Sequence, residues 1–388
     1  MKPPKRILPI IVFAQFCCTS LWFAVNGVMA ELIQSFDLEA SDLGHITSAV
    51  QIGFIVGTLI FSILTISDRY SPSKVFLICA VLGALFNLAV IWEGNSFMSL
   101  LGLRFLTGFC LAGIYPVGMK IASDYFDKGL GQSLGFLVGA LVLGTAFPHL
   151  ARNFTQAFAW EYVLLVTSSL ALIGGLLIWS FVPDGPFRQP SKQFRLQAFY
   201  GVFHQASFRR AAFGYFGHMW ELYAFWAFVP FILQTYSISH PGIIWQVPLL
   251  SFWVIAAGGL ACVLGAFIAV RLRAKGVARV ALLLSCLCCL VSPFMLVQAS
   301  ELFFVVFLVF WGMVVVADSP LLSTLVAQNA QPEIRGTSLT IVNCIGFFIT
   351  ILSIQLLSFL QTWIDPIWLF PVLAIGPVFG LIALFQKG

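Results

Sequence analysis

"GFCLAGIYP", residues 108–116, returns as "GMVVVADSP" at 312–320, with a glycine eight residues ahead of a proline in each. The offset is 204 residues. After each segment comes a short charged turn and a similar start, "GQSLG" at 131–135 and "GTSLT" at 336–340, offset by 205. A fainter echo pairs "IQSF" at 33–36 with "LQTY" at 233–236. Apolar sequences resemble one another easily, so each echo alone is weak; three in the same order at nearly one spacing point to a chain built twice.

The repeated unit is a set of membrane spans. Hydrophobic residues make up 60% of the 388, charged residues 9%, and mean hydropathy is +0.99, whereas a soluble domain carries about a quarter charged residues. A span needs about 20 mostly apolar residues, and twelve such segments lie at approximately 7–31, 43–66, 75–92, 97–121, 130–151, 161–182, 211–235, 247–270, 278–298, 302–327, 337–360 and 366–386. The first, behind "MKPPKR", is too long for a signal-peptide core and is read as retained. The longest polar break, 183–210 with its "PDGPFRQPSKQFR", divides the set in two. The expected fold class is an all-α polytopic membrane protein, with twelve transmembrane helices in two pseudo-symmetric six-helix bundles. The bundles would be 1–182 and 211–388, joined by a cytoplasmic linker at 183–210.

Charge then sets orientation. With both termini in the cytoplasm, 18 of the 20 Lys and Arg fall on cytoplasmic segments, Arg152 lies outside and Arg104 sits within a span. The net charge of +5 is therefore a topology signal, and its spread over many loops argues against nucleic acid as a partner. All nine cysteines fall inside spans, and "CLCC" at 286–289 lacks zinc-site spacing, so no metal and no cofactor is expected. No nucleotide loop or nucleophilic triad appears, which speaks against an enzyme or an ATP-driven pump.

Ionisable groups inside spans are costly in lipid and mark function by default. Residues three, four and seven apart share a helix face. Gln15, Thr19, Trp22 and Asn26 do so in span one, and Arg104, Gly108, Leu111 and Tyr115 in span four. In span seven, Gly214, Gly217, Glu221, Ala224 and Phe228 form a stripe with His218 at its edge, and in span ten Asp318, Ser319 and Ser323 cluster beside Pro320. At 1.5 Å per residue Glu221 lies about 15 Å into its span. A carboxyl and an imidazole at that depth suit proton coupling, with Asp318 next in line, while the planar fork of Arg104 suits a small oxyanion. The competing readings are structural: His218 and Glu221 as a local packing pair, Asp318 as a gate, Arg104 as a hub bonded to backbone carbonyls. Trp220 and Trp226 are expected to face lipid.

The loop "SDRYSPSK" after span two and "RFLTGF" in span four resemble the two signatures of the major facilitator superfamily. Asp68, Arg69 and Lys74 match the first, with Leu64 and Ser71 where the family usually has glycines, and Arg104 and Gly108 match the second. "GHMWELYAFW" and "ADSPLLSTLVA" are similar to bacterial members labelled nitrate, nitrite or cyanate-type permeases. The resemblance implies the major facilitator fold, a central cavity lined by spans one, four, seven and ten, and a latch at Asp68, Arg69 and Lys74. Span five lacks the Gly-Pro cluster of drug antiporters. The expected function is secondary transport of a small anionic organic solute by alternating access, coupled to protons, by a monomer in the bacterial inner membrane. The substrate would touch Arg104, Tyr115, Asn26, Gln15, Thr19, Trp22, Ser319 and Ser323, and protons Glu221, His218 and Asp318. The alternatives are an exporter or flippase of amphipathic compounds, for which the 40 phenylalanines would suit a greasy cavity, and a membrane sensor that transports nothing.

Overall fold

A computed structural model of the protein describes residues 4–39, 42–126, 130–188, 202–331 and 334–386. The described residues form sixteen α-helices and a few 3₁₀ turns. Contacts divide the chain into two units, Met1–Phe194 and Arg195–Gly388. The expected linker falls at this division; its residues 189–201 lie outside the described residues, and residues 206–210 already belong to a helix.

Unit one contains α1 (Ile7–Thr19), α2 (Met29–Phe36), α3 (Asp42–Ile63), α4 (Ile66–Arg69), α5 (Pro72–Ala89), α6 (Phe97–Ala112), α7 (Tyr115–Tyr125), α8 (Leu130–Phe154) and α9 (Glu161–Phe181). Unit two contains α10 (Ala206–Ser239), α11 (Val247–Leu272), α12 (Ala274–Gln298), α13 (Glu301–Ala317), α14 (Ser319–Asn329), α15 (Arg335–Leu360) and α16 (Ile375–Phe385). Taking α6 with α7 and α13 with α14, eleven helical segments among the described residues are long and apolar enough to cross a bilayer.

The first span is not the continuous helix read over 7–31. It stops at Thr19 and resumes through a 3₁₀ turn at Asn26–Val28 into α2. The hydroxyls of Thr19 and Ser20 donate back to the carbonyls of Gln15 (2.8 Å) and Cys17 (2.7 Å), the local bonding by which such residues bend helices. Asn26 is drawn sideways, its Nδ2 donating to Thr47 Oγ1 of α3 at 2.9 Å.

Spans four and ten break at the repeated motif. Pro116 and Pro320 each stand at the start of the second part, α7 and α14. Proline has no N–H, and its ring displaces the carbonyl four residues back. For Pro320 that carbonyl belongs to Val316, and Cys262 of α11 takes it up with an Sγ contact of 3.3 Å.

The glycines of the same motif govern packing. A Cβ on Gly108 would strike the Val50 carbonyl of α3, and one on Gly312 would strike the Val254 carbonyl of α11. Val50 and Val254 are again 204 residues apart. Without a hydrophobic drive between helices in lipid, such small-residue approaches hold bundles together, and the two units use the same one.

Candidate functional site

In unit two, α10 presents His218 and Glu221 three residues apart, and the fold sends them to different partners. Glu221 is buried and accepts hydrogen bonds from the Ser285 hydroxyl, from Cys289 Sγ at 3.2 Å and from Trp311 Nε1 at 2.7 Å. Ser285 and Cys289 lie one turn apart on α12, and Trp311 lies on α13, so the carboxyl ties three spans together. Each donor points at it, and burying a carboxyl requires that satisfaction.

His218 goes to the break in span ten. Its Nδ1 lies 2.9 Å from Asp318 Oδ1, and both side chains are 1% exposed. The approach lacks hydrogen-bond alignment, and neither ring nitrogen nor either carboxylate oxygen has a hydrogen-bond partner among the described residues. Asp318 occupies the joint between α13 and α14, where its backbone carbonyl accepts from Leu322 N–H at 2.8 Å. The pair is thus a buried acid and base held by each other, at a discontinuity of the backbone.

The glycine stripe of α10 differs from its expected place on a cavity wall. Gly217 packs on Gly376 and Gly380 of α16, and Gly214 on Leu384, because absent side chains let two helices close. Trp226 corrects the lipid-facing expectation, being fully buried. Trp220 is half-buried and donates to the Val372 carbonyl at 3.2 Å. Ser319 and Ser323 are half-buried, with Ser323 Oγ donating to the Ser319 carbonyl at 3.0 Å.

In unit one, Arg104 meets no acid among the described residues. Its Nη2 donates to the carbonyls of Leu21 (3.2 Å) and Trp22 (2.6 Å), and its Nη1 to Asn87 Oδ1 (3.2 Å). Those carbonyls are left over by the break in span one, so the guanidinium caps a broken helix inside the bundle. Asn87 passes the network on, its Nδ2 donating to Ser168 Oγ at 3.0 Å and Thr167 Oγ1 at 3.2 Å on α9. Arg104 Nε has no hydrogen-bond partner among the described residues. Nearby on span one, the Trp22 ring lies 4.8 Å from that of Phe54, and the Asn26 side-chain oxygen has no hydrogen-bond partner among the described residues. Gln15 is buried with neither amide atom hydrogen-bonded among the described residues, its oxygen close against Gly118. Thr19 packs against Gly144, and Tyr115 is half-buried at the start of α7.

In α4, just past the end of α3, Asp68 pairs with Lys120 of α7 at 2.8 Å, and Lys120 also reaches Asp124 at 3.4 Å. Arg188 donates to the carbonyls of Asp68 (2.9 Å) and Tyr70 (2.8 Å) and pairs with Asp184, which in turn accepts from Ser71 Oγ at 2.7 Å. Arg69 and Lys74 are exposed and make no ion pair among the described residues.

A family model described as Major Facilitator Superfamily matches residues 11–385. The chain belongs to the Major Facilitator Superfamily. It is similar to the Escherichia coli protein AraJ, 24% identical over 46% of this chain and 45% of that one. It is also similar to a 4-hydroxybenzoate transporter, PcaK, of Pseudomonas aeruginosa, 28% identical over 42% of this chain and 36% of that one. The matched stretch spans less than half the length of these relatives. Among solved structures, the human organic anion transporter MFSD10 (TETRAN) superposes with a TM-score of 0.76 at 15% identity, covering 99% of this chain and 100% of that one. A bacterial homolog of the human lysosomal transporter Spinster gives 0.69 at 14% identity, over 98% and 92%. Both likenesses show the shared fold.

This Major Facilitator Superfamily chain holds its charges through residues that sequence reasoning passed over. Asn87 is the lone amide in "ALFNLA", and an amide inside a span is polar glue between helices. Ser285 and Cys289 share a helix face, a spacing visible in sequence, but "LSCLCC" reads as small apolar packing until Glu221 arrives from another span. Lys120, Asp184 and Arg188 give no signal beyond charge near a span end.

Proposed function

We propose that the protein is a secondary active transporter of the bacterial inner membrane that moves a small anionic organic solute by alternating access and couples it to protons. The observation that carries this reading is the buried His218–Asp318 contact. An acid and an imidazole 2.9 Å apart in a dry interior are each other's natural counter-charge, so a proton gained or lost by either changes what holds the two together. Their position at the joint of α13 and α14 lets a change of protonation act on the backbone break. Glu221, with three donors already engaged, serves in this reading as the hub beside the pair. The relatives named for 4-hydroxybenzoate support aromatic carboxylates as the first solutes to try. Arg104, bonded to neutral acceptors, supplies the positive charge of the first unit's interior in this reading.

Uptake of 4-hydroxybenzoate and related carboxylates into proteoliposomes with an imposed pH gradient tests this. Asp318→Asn and His218→Gln are expected to lose gradient-driven accumulation by at least about tenfold, the weight of 1.4 kcal/mol, while exchange without a gradient persists. Accumulation equal to wild type in both variants sinks the coupling assignment. Failure of every organic anion to be taken up, with neutral or cationic solutes accepted, sinks the substrate class.

A further inference from the structure

Four cations converge on the end of the last helix of unit two. Arg209 and Arg210 come from the first turn of α10, and Arg210 Nη1 donates to the Gln386 carbonyl at 3.0 Å. Lys275 and Arg279 come from the start of α12, where Arg279 donates to the Leu384 carbonyl and its guanidinium sits 4.5 Å from the centre of the Phe385 ring. Those carbonyls are orphans of the α16 C-terminus, which favours cations nearby. They use few of the available N–H donors.

No acid pairs with any of the four among the described residues. The described acids of unit two are Glu221, Asp318, Glu301 and Asp365. The first two are buried within the bundle, Glu301 bonds Trp245 and Asp365 caps a 3₁₀ turn; Glu333 lies outside the described residues. Beside these cations, a groove of about 220 Å³ runs between α10 and α16, with Arg209 and Arg210 at its mouth and Phe213, Phe379 and Ile382 along it. These three side chains are 46%, 65% and 55% exposed on helices that cross the bilayer. A basic mouth over an apolar trough matches a ligand whose anionic head continues into hydrocarbon. Positive residues at span ends are ordinary topology signals, but topology alone does not require them to gather around one helix end beside an open trough.

We propose that this groove binds an anionic phospholipid, with the phosphate on Arg209 and Arg210 and an acyl chain along Phe213, Phe379 and Ile382. The lipid completes the charge balance at the α16 terminus and bridges it to α10. The site is independent of the transported solute.

The test uses the full-length protein, delipidated in detergent, with phosphatidylglycerol and phosphatidylcholine of identical chains as probes, read by native mass spectrometry and by the thermal midpoint. Phosphatidylglycerol is expected to bind and stabilise better than phosphatidylcholine. Arg209→Gln with Arg210→Gln should weaken it roughly 30-fold, two charges at about 1 kcal/mol each. Arg271→Gln with Arg273→Gln, at the neighbouring end of α11, should leave it unchanged. Ile382→Trp, which fills the trough and keeps every charge, should weaken phosphatidylglycerol binding and serves if the arginine pair fails to fold. The proposal is overturned if the two lipids act alike, if the Arg271 and Arg273 pair costs as much as the Arg209 and Arg210 pair, if Ile382→Trp has no effect, or if glycerol phosphate alone reproduces the stabilisation.

Discussion

Arg104 shows how a buried charge can be built into a membrane bundle without a counter-charge. Its fork reaches two carbonyls that the span-one break leaves open, and in a bundle an open carbonyl costs several kcal/mol. Arg104→Leu is therefore expected to lower stability by about 2–3 kcal/mol, and Arg104→Lys by less, since one ammonium cannot serve both carbonyls and Asn87. Thermal unfolding without substrate checks this; an unchanged midpoint would return Arg104 to a ligand-only role. Its depth was legible in the sequence. Its partners were not, because "SLWFAV" has neither proline nor glycine to announce a break. A second residue carries strain in plain view: Thr65 holds φ 49° and ψ 39° at the turn into α4, a left-handed conformation costing a non-glycine residue about 1–2 kcal/mol. Thr65→Gly relieves it against the extra chain entropy of glycine, for an expected gain of about 1 kcal/mol in chemical unfolding.

Spans four and ten were legible down to their breaks because proline writes its effect into the sequence, and the glycine eight residues earlier marks a close helix contact. Gly108→Ala and Gly312→Ala would each push a methyl into a carbonyl of the facing helix. Overpacking of this kind costs about 1–3 kcal/mol, and the two costs should match if the units are built alike. Gly102→Ala, on α6 with nothing within 4 Å of the added carbon, should be neutral or gain up to about 1 kcal/mol. Melting curves of the three variants decide it, and a large Gly102→Ala penalty would count against this packing. The stripe of α10 was misread for a related reason. Period 3.6 shows which residues share a face but not which neighbour that face meets, and small residues that invite a cavity also invite a helix.

Across the whole molecule, the charged groups described above fall into two sets, and the difference bears on transport. Arg104 in one unit and Glu221 in the other each join three spans and are surrounded by engaged groups. His218 with Asp318, and Asp68 with Lys120, are pairs whose members chiefly hold each other. Switching needs groups that can exchange partners, which pairs do at small cost and hubs do not. Glu221→Gln keeps an acceptor for Trp311 and gains a donor for Ser285, so pH-driven accumulation should survive; its loss in a folded variant would place the proton on Glu221. The Asp68–Lys120 pair is only about 20% exposed at either side chain and links the turn after α3 to α7, so as a latch it should act as one unit. Asp68→Asn and Lys120→Gln are each expected to slow turnover by a similar factor, with thermal stability changed by no more than about 1 kcal/mol. The double variant should be no slower than Lys120→Gln alone, because that change already removes both the Asp68 pair and the longer contact to Asp124. Transport rates at saturating solute read this directly, and multiplicative losses would mean that the two residues act through separate contacts.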